Sequence, residues 1–179
     1  MHGIASLIDA YYSSKVQAIW HELEVDCGLT GIQISPGPHF SWQVAEGYDQ
    51  AVLIPILKEI ARKTRPFIIH TGGLGIFTGE NPVVYITVVK DAQLIQFHEM
   101  LWERTVIAMT GGNQLYAPSN WIPHITLAYG DVNRESLSCA MQRLAFVDYD
   151  WEIKIDHLVF GGLTDGEVVP FKMTFAFDD

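Results

Sequence analysis

The tetrapeptide Pro38-His39-Phe40-Ser41 returns as Pro123-His124-Ile125-Thr126, 85 residues further on and close to half of the 179-residue chain. Each copy opens a strand-like run, each run ends at an acid at the same offset (Glu46 and Asp131), and each is followed by a helical pattern. A chain that repeats a strand–helix–strand unit folds as two related halves, and pseudo-symmetry between them sets the two His strands face to face. The repeat is weak outside these positions. Inside them it is specific: with seven histidines, about one His-x-Ser/Thr is expected by chance, and a preceding proline lowers that to about 0.03.

Side chains alternate along a strand, so His39 and Ser41 share one face while Phe40 and Trp42 take the other. In the second copy His124 and Thr126 share a face, with Ile125 and Leu127 turned into the core. Two facing strands would then gather two imidazoles and two hydroxyls around one small cleft. Imidazole titrates near 6.5, so one ring can be neutral and the other protonated near neutral pH. The neutral ring takes the proton of an attacking hydroxyl or water, and the charged ring protonates the departing oxygen. Such roles contribute about 10²–10⁴-fold each. Hydroxyls from Ser41 and Thr126 can donate to the non-bridging oxygens of a phosphodiester. This chemistry needs no metal or cofactor, and none is expected.

Composition bounds the partners. Eleven Lys and Arg stand against 21 Asp and Glu, a net charge of −10. A broad basic surface for long nucleic acid, DNA included, is therefore not expected, whereas a small phosphate site is compatible with that balance. A hydrophobic share of 49% supports a substantial core, and the length suits one domain made of two lobes over residues 1–179. Met1–Ala10 lacks the basic start of a signal peptide, and no apolar run approaches the ~20 residues of a membrane helix. A cytoplasmic monomer without membrane contact is expected. Two cysteines, Cys27 and Cys139, are too few for a disulfide framework and read as reduced thiols.

The remaining pattern alternates strands and helices. A strand over Gly3–Asp9 precedes a helix over Tyr12–Cys27 with Val16, Ile19, Trp20, Leu23 and Cys27 inward, stopped by Gly28. Thr30–Ser35 reads as a short strand, and the stiff turn Pro36-Gly37-Pro38 delivers His39. The helix carrying Val52, Leu53, Ile56, Leu57 and Ile60 should start late or kink at Pro55. Phe67–Thr71 and Val83–Val89 read as strands on either side of a glycine-rich link, Gly72–Gly75. Asp91 can cap a long helix with Leu94, Ile95, Leu101, Trp102 and Met109 buried. A loop over Gly111–Asn120 leads to the second motif strand, Pro123–Tyr129. A helix with Leu137, Ala140, Met141 and Leu144 inward follows, then strands near Trp151–Phe160 and Val168–Phe177.

The paired Pro-His-Phe-Ser and Pro-His-Ile-Thr motifs resemble those of the two-histidine (2H) phosphoesterase superfamily, marked by two His-x-Thr/Ser motifs. The branch most similar is that of the bacterial 2′-5′ RNA ligase-like (LigT-like) proteins and their cyclic phosphodiesterase relatives. Gly73-Leu74-Gly75-Ile76-Phe77 and Pro82-Val83-Val84-Tyr85 are also similar to the link and strand between motifs in that branch, and the likeness spans Thr30 to the C-terminus. The resemblance implies an α+β, bilobal, pseudo-symmetric duplication: two antiparallel sheets, each backed by helices, around a central cleft. It implies hydrolysis of 2′,3′-cyclic phosphates or 2′-5′ linkages of nucleotides or RNA ends, with His39 and His124 as the acid/base pair and Ser41 and Thr126 binding phosphate. A 2′-5′ RNA ligase or RNA-processing factor, and a non-catalytic nucleotide-binding module on the same fold, are the competing readings. Ser41 stands where threonine is commoner but keeps the hydroxyl. The basic residues that some RNA-handling members carry around the cleft are not evident.

Base stacking would need aromatic side chains at the cleft rim. Trp42 and Tyr129 face away by strand parity, which leaves Tyr116, Trp121 and Phe77 as candidates. His21, His98 and His157 read as bystanders without metal-ligand spacing, while His70 could line the cleft. Gly72–Gly75 matches no phosphate-loop pattern and reads as a tight inter-strand link.

Overall fold

A computed structural model describes residues 1–162 and 171–178. The chain runs β1 (His2–Leu7), α1 (Ala10–Cys27), β2 (His39–Tyr48), α2 (Gln50–Lys63), β3 (Phe67–Phe77), β4 (Val83–Val88), α3 (Ala92–Thr105), β5 (Met109–Gly112), β6 (His124–Ala128), α4 (Arg134–Leu144), β7 (Glu152–Ile155), β8 (His157–Gly162) and β9 (Met173–Ala176). Each helix opens on an Asp or Asn whose side chain accepts from first-turn N–H groups: Asp9, Asp49, Asp91 and Asn133. Those N–H groups have no partner within the helix, so the caps fix where helices begin. At the far end of α1, Gly28 turns the chain with φ 69°.

Among the described residues every strand pairing is antiparallel, and two sheets form, ordered β5-β2-β1-β8-β9 and β6-β4-β3-β7. The expected bilobal α+β duplication is what the chain adopts, and the two halves exchange strands. The first half supplies β3 to the sheet built on β6 and β4. The second supplies β8 to the sheet built on β2 and β1. Helices cross over too: α1 packs on β6 and α4, while α3 packs on β2 and α2. Two ring N–H groups seal these crossings, Trp20 Nε1 donating to the Thr126 carbonyl and His98 Nε2 to the Trp42 carbonyl, each at 3.0 Å.

Pseudo-symmetry extends to single residues. In β2 the pairs His39–Leu7, Phe40–Ser6 and Ser41–Ala5 are followed by Gln43–Ile4, leaving Trp42 as an extra residue. In β6 the pairs His124–Thr87, Ile125–Ile86 and Thr126–Tyr85 are followed by Ala128–Val84, leaving Leu127 as the extra one. Both bulges fall three residues after the histidine. A bulge bends its strand and re-aims the side chains before it, a device common beside active sites.

Several elements differ from the sequence expectation. Thr30–Ser35 holds a short 3-10 turn over Gly31–Ile34, because the Asp131 carboxylate draws in the Thr30 and Gly31 N–H groups at 2.7 and 2.8 Å. Gly31 permits this, since a Cβ there would collide with the Tyr129 carbonyl. Asp131 is thus a clamp rather than the twin of Glu46, which lies exposed within β2. The α2 helix does not start late: the Asp49 cap holds its first turn and the helix runs through Pro55 to Lys63, with Val52 38% exposed. Gly72–Gly75 lies inside β3, where one extra residue shifts the register between Thr71 and Leu74 and Gly73 adopts φ 74°. The α3 helix ends at Thr105, so Met109 starts β5, and Phe97 and His98 join the buried stripe. Trp151–Phe160 divides at Asp156 into β7 and β8, which belong to different sheets. Of the strand expected over Val168–Phe177, residues 168–170 lie outside the described residues.

Cys27 and Cys139 are joined in a disulfide, not held as two thiols. They lie 112 residues apart, on α1 and α4, and only the packing of those helices brings the sulfurs together. No helix among the described residues is long and apolar enough to cross a membrane.

Candidate active site

The two motif strands meet where the sheets adjoin, β2 against β6. The expected parity is observed: Phe40, Trp42, Ile125 and Leu127 are buried, while His39, Ser41, His124 and Thr126 are half-buried on the other face. The imidazoles are close enough that His39 disfavours protonation of His124.

Both rings are held the same way. His39 Nδ1 donates to the Gly37 carbonyl and His124 Nδ1 to the Ile122 carbonyl, each at 2.7 Å. A carbonyl only accepts, so Nδ1 carries the proton in each neutral ring and Nε2 is left with its lone pair. The acceptor in both cases is the residue before the motif proline. Proline fixes its own φ and restrains its predecessor to extended geometry, so the carbonyl sits at a set place relative to the ring. That gives the proline of each motif a physical reason. Burial pushes both imidazoles below their usual 6.5, opposed by the carbonyl bonds to Gly37 and Ile122 and, for His124, reinforced by His39. In the free protein both rings are therefore poised toward the neutral form.

An aromatic side chain stands beside each imidazole. Phe77 meets His124 at a centroid distance of 4.9 Å and 87°, and Phe171 meets His39 at 5.3 Å and 80°. Tyr85, opposite Thr126 on β4, lies 5.1 Å from His124 and 4.2 Å from Phe77. Gly75, its partner on β3, makes room, because a Cβ there would overlap the Tyr85 ring.

The Ser41 side chain lies close enough to the Tyr116 phenol to favour its ionised form. Burial pushes the Tyr116 phenol up, Ser41 opposes this, and the neighbouring Tyr129 phenol adds to it. Behind the strand, Trp121 Nε1 donates to the Ser41 carbonyl at 3.0 Å. Both Tyr116 and Trp121 come from the segment between β5 and β6. Of the three aromatic candidates, Phe77 lies against His124 and Tyr116 reaches the site through its hydroxyl. Trp121 does not reach the rim: it is 1% exposed, stacked on His98 at 3.8 Å and on Trp42 at 5.5 Å. Tyr129 is 44% exposed beyond the end of β6, so strand parity no longer turns it from the site. His98 is a buried structural ring, whereas His70 is exposed and pairs with Glu152 at the far side of the second sheet.

Sequence reasoning missed Tyr85 and Phe171. The alternation of β4 and its register against β6 would have flagged Tyr85. Nothing local marks Phe171. Among the described residues no three His, Cys, Asp or Glu side chains gather where they could hold a metal ion.

Comparison with known proteins places this geometry in a family. A family model described as the 2′-5′ RNA ligase superfamily matches residues 15–167. A Bacillus cytotoxicus protein whose provisional name is phosphoesterase is 30% identical over 128 residues, 69% of this chain and 70% of that one. A Bacillus cereus relative with the same provisional name is 29% identical over the same length. The crystal structure of TT0787 from Thermus thermophilus superposes with a TM-score of 0.63 at 14% identity, covering 98% of this chain and 97% of that one. A second crystal structure, of a phosphoesterase, gives 0.63 at 15% identity over 99% and 98% of the two chains. The chain belongs to the 2′-5′ RNA ligase superfamily of two-histidine phosphoesterases.

Proposed function

We propose that this phosphoesterase-type enzyme is a metal-independent phosphodiesterase that hydrolyses 2′,3′-cyclic phosphates or 2′-5′ linkages of nucleotides or RNA ends. The observation that carries the reading is the matched pair of imidazoles, each with Nδ1 donating to a backbone carbonyl at 2.7 Å. With both tautomers fixed, each ring has one site, Nε2, at which to take or give a proton. One Nε2 removes the proton of the attacking water as its oxygen bonds to phosphorus. The other, protonated, hands its proton to the ester oxygen whose bond to phosphorus breaks. Ser41 and Thr126 hydroxyls donate to the non-bridging oxygens. A bound diester brings a negative charge beside two rings that burial keeps neutral, and opposite charge favours the protonated form of one of them.

Run backward, the same proton transfers join two ends, which is the ligase reading. A net charge of −10 works against gripping structured RNA for that purpose. The test is turnover of nucleoside 2′,3′-cyclic phosphates with and without a chelator. His39→Ala and His124→Ala are each expected to lose about 10²-fold or more, with no chelator sensitivity. Chelator-abolished turnover, or an unaffected His39→Ala protein, would overturn the reading.

A further inference from the structure

The two imidazoles are held alike, but the carbonyls that hold them are not. The Gly37 carbonyl accepts twice, from His39 Nδ1 at 2.7 Å and from the Ser35 hydroxyl at 3.0 Å. An oxygen with two lone pairs serves both donors, and the second bond fixes the direction of the first. Ser35 is itself placed by the chain. Its N–H donates to the Ile32 carbonyl at 2.8 Å, closing the 3-10 turn, and Pro36 restrains it to an extended backbone with ψ 135°. Gly37 then takes φ 149°, a backbone region that favours glycine, although an added Cβ would meet no atom within 4 Å. At its other end the turn is moored by the Asp131 carboxylate, on the Thr30 and Gly31 N–H groups. A run of hydrogen bonds thus leads from a residue beyond β6 to the ring at the start of β2.

The second motif is built differently. Asn120 stands where Ser35 stands, four residues ahead of the motif histidine, and its amide donates to the Gln114 carbonyl at 3.0 Å. Lys90 moors that segment instead, its ammonium donating to the Trp121 carbonyl at 2.9 Å, next to the carbonyl that His124 uses rather than on it.

We infer that Ser35 is a positioning residue for His39: its hydroxyl pins the Gly37 carbonyl so that the imidazole keeps its proton on Nδ1 and its lone pair on Nε2, and Asp131 holds the turn that carries Ser35. The consequence for rate rests on the phosphodiesterase reading; the consequence for the ring does not. Neutral histidine in water favours the proton on Nε2, so the carbonyl works against an intrinsic preference. The bond made by one ring nitrogen decides the state of the other. A loosened carbonyl therefore lets part of the population place the proton on Nε2, where the ring can no longer accept one. Substrate still binds that fraction, so kcat falls and KM does not.

The test reads the ring directly. Long-range proton–nitrogen spectra of the full chain near pH 8, with His39 assigned through His39→Gln, should show a protonated Nδ1 and a bare Nε2. Ser35→Ala should draw the two His39 nitrogen shifts toward each other and leave those of His124 in place. It should also lower kcat for adenosine 2′,3′-cyclic phosphate about three- to tenfold, the loss that one hydrogen bond implies, with KM within twofold. Ser35→Thr restores the hydroxyl and should return both readouts. Asp131→Ala should move the same nitrogens, and adding it to Ser35→Ala should cost little more than the worse single change, because both act on one run of bonds. Gly37→Ala gives a second route that removes no side-chain contact and should free the ring in the same way. Unmoved His39 nitrogens in Ser35→Ala and Gly37→Ala, or a kcat within twofold of wild type in Ser35→Ala, overturn the assignment while leaving the phosphodiesterase reading intact. A wild-type protein that turns over no cyclic nucleotide overturns that reading, and the nitrogen shifts still decide the role of Ser35.

Discussion

The imidazole of His39 opposes protonation of His124, in addition to the burial that lowers both rings. The two therefore titrate as a pair, and acid–base catalysis through them needs one proton shared between two sites. Both values lie below 6.5 in the free protein. The profile of kcat/KM, which reports the free enzyme, should be bell-shaped with its maximum on the acid side of 6.5. The profile of kcat should peak at higher pH, because the bound diester's charge favours the protonated ring. Initial rates across pH 4–9 check this, and coincident maxima would contradict it.

Ser41 and Thr126 are each gripped from behind by an indole, Trp121 and Trp20. Trp121→Phe and Trp20→Phe remove the N–H with its bond and also part of a buried ring. Leaving a carbonyl without its donor costs about 1–3 kcal/mol. The hydroxyl on the same residue then drifts, so kcat should fall by about one to two orders of magnitude with little change in KM. Chemical denaturation alongside steady-state kinetics separates the two effects.

His98 carries a burial penalty of the same kind. Its pKa is lowered to about 4 by burial, with Lys90 adding to the effect and the carbonyls of Trp42 and Tyr116 opposing it. The unfolded chain takes up that proton near 6.5 while the folded chain refuses it down to about 4. Stability is thus whole above 6.5 and is lost as pH falls through that window, by up to about 3 kcal/mol from this residue. His98→Gln should flatten the pH dependence of the unfolding free energy between 6.5 and 4. Urea titrations at pH 7.5 and 4.5 on both proteins provide the measurement.

Gly75 lies under the Tyr85 ring, and Tyr85 in turn lies against His124. Gly75→Ala forces that ring aside. We expect a loss of about 1–3 kcal/mol from overpacking and a lowered kcat. Gly47→Ala, where an added Cβ meets no atom within 4 Å, should leave kcat unchanged. Thermal melts and rates on the two variants decide.

The motif strands, their parity and their paired chemistry were legible because each property is local: a proline, a period of two, and a histidine two residues from a hydroxyl. What escaped was set by contacts distant in sequence. Thr30–Ser35 has strand-like residues, yet Asp131, some hundred positions later, bends it into a turn. Trp121 has the composition of a rim aromatic, but His98 and Trp42 close around it in the core. Phe171 gains its place only through a glycine on β8 that shows its purpose once the strands are paired.

The same distance hid the link between Cys27 and Cys139. A cross-link closing 112 residues restrains the unfolded chain by up to about 5 kcal/mol. Cys139→Ser should therefore lower the melting temperature, while kcat, set by residues on β2 and β6, stays within about twofold.

Because the first half lends β3 to one sheet and the second lends β5, β8 and β9 to the other, neither can finish a sheet by itself. Severed between Phe77 and Val83, the polypeptide becomes two fragments with complementary gaps, each carrying the piece its counterpart lacks. That is the architecture of a swapped homodimer whose protomers have been fused head to tail.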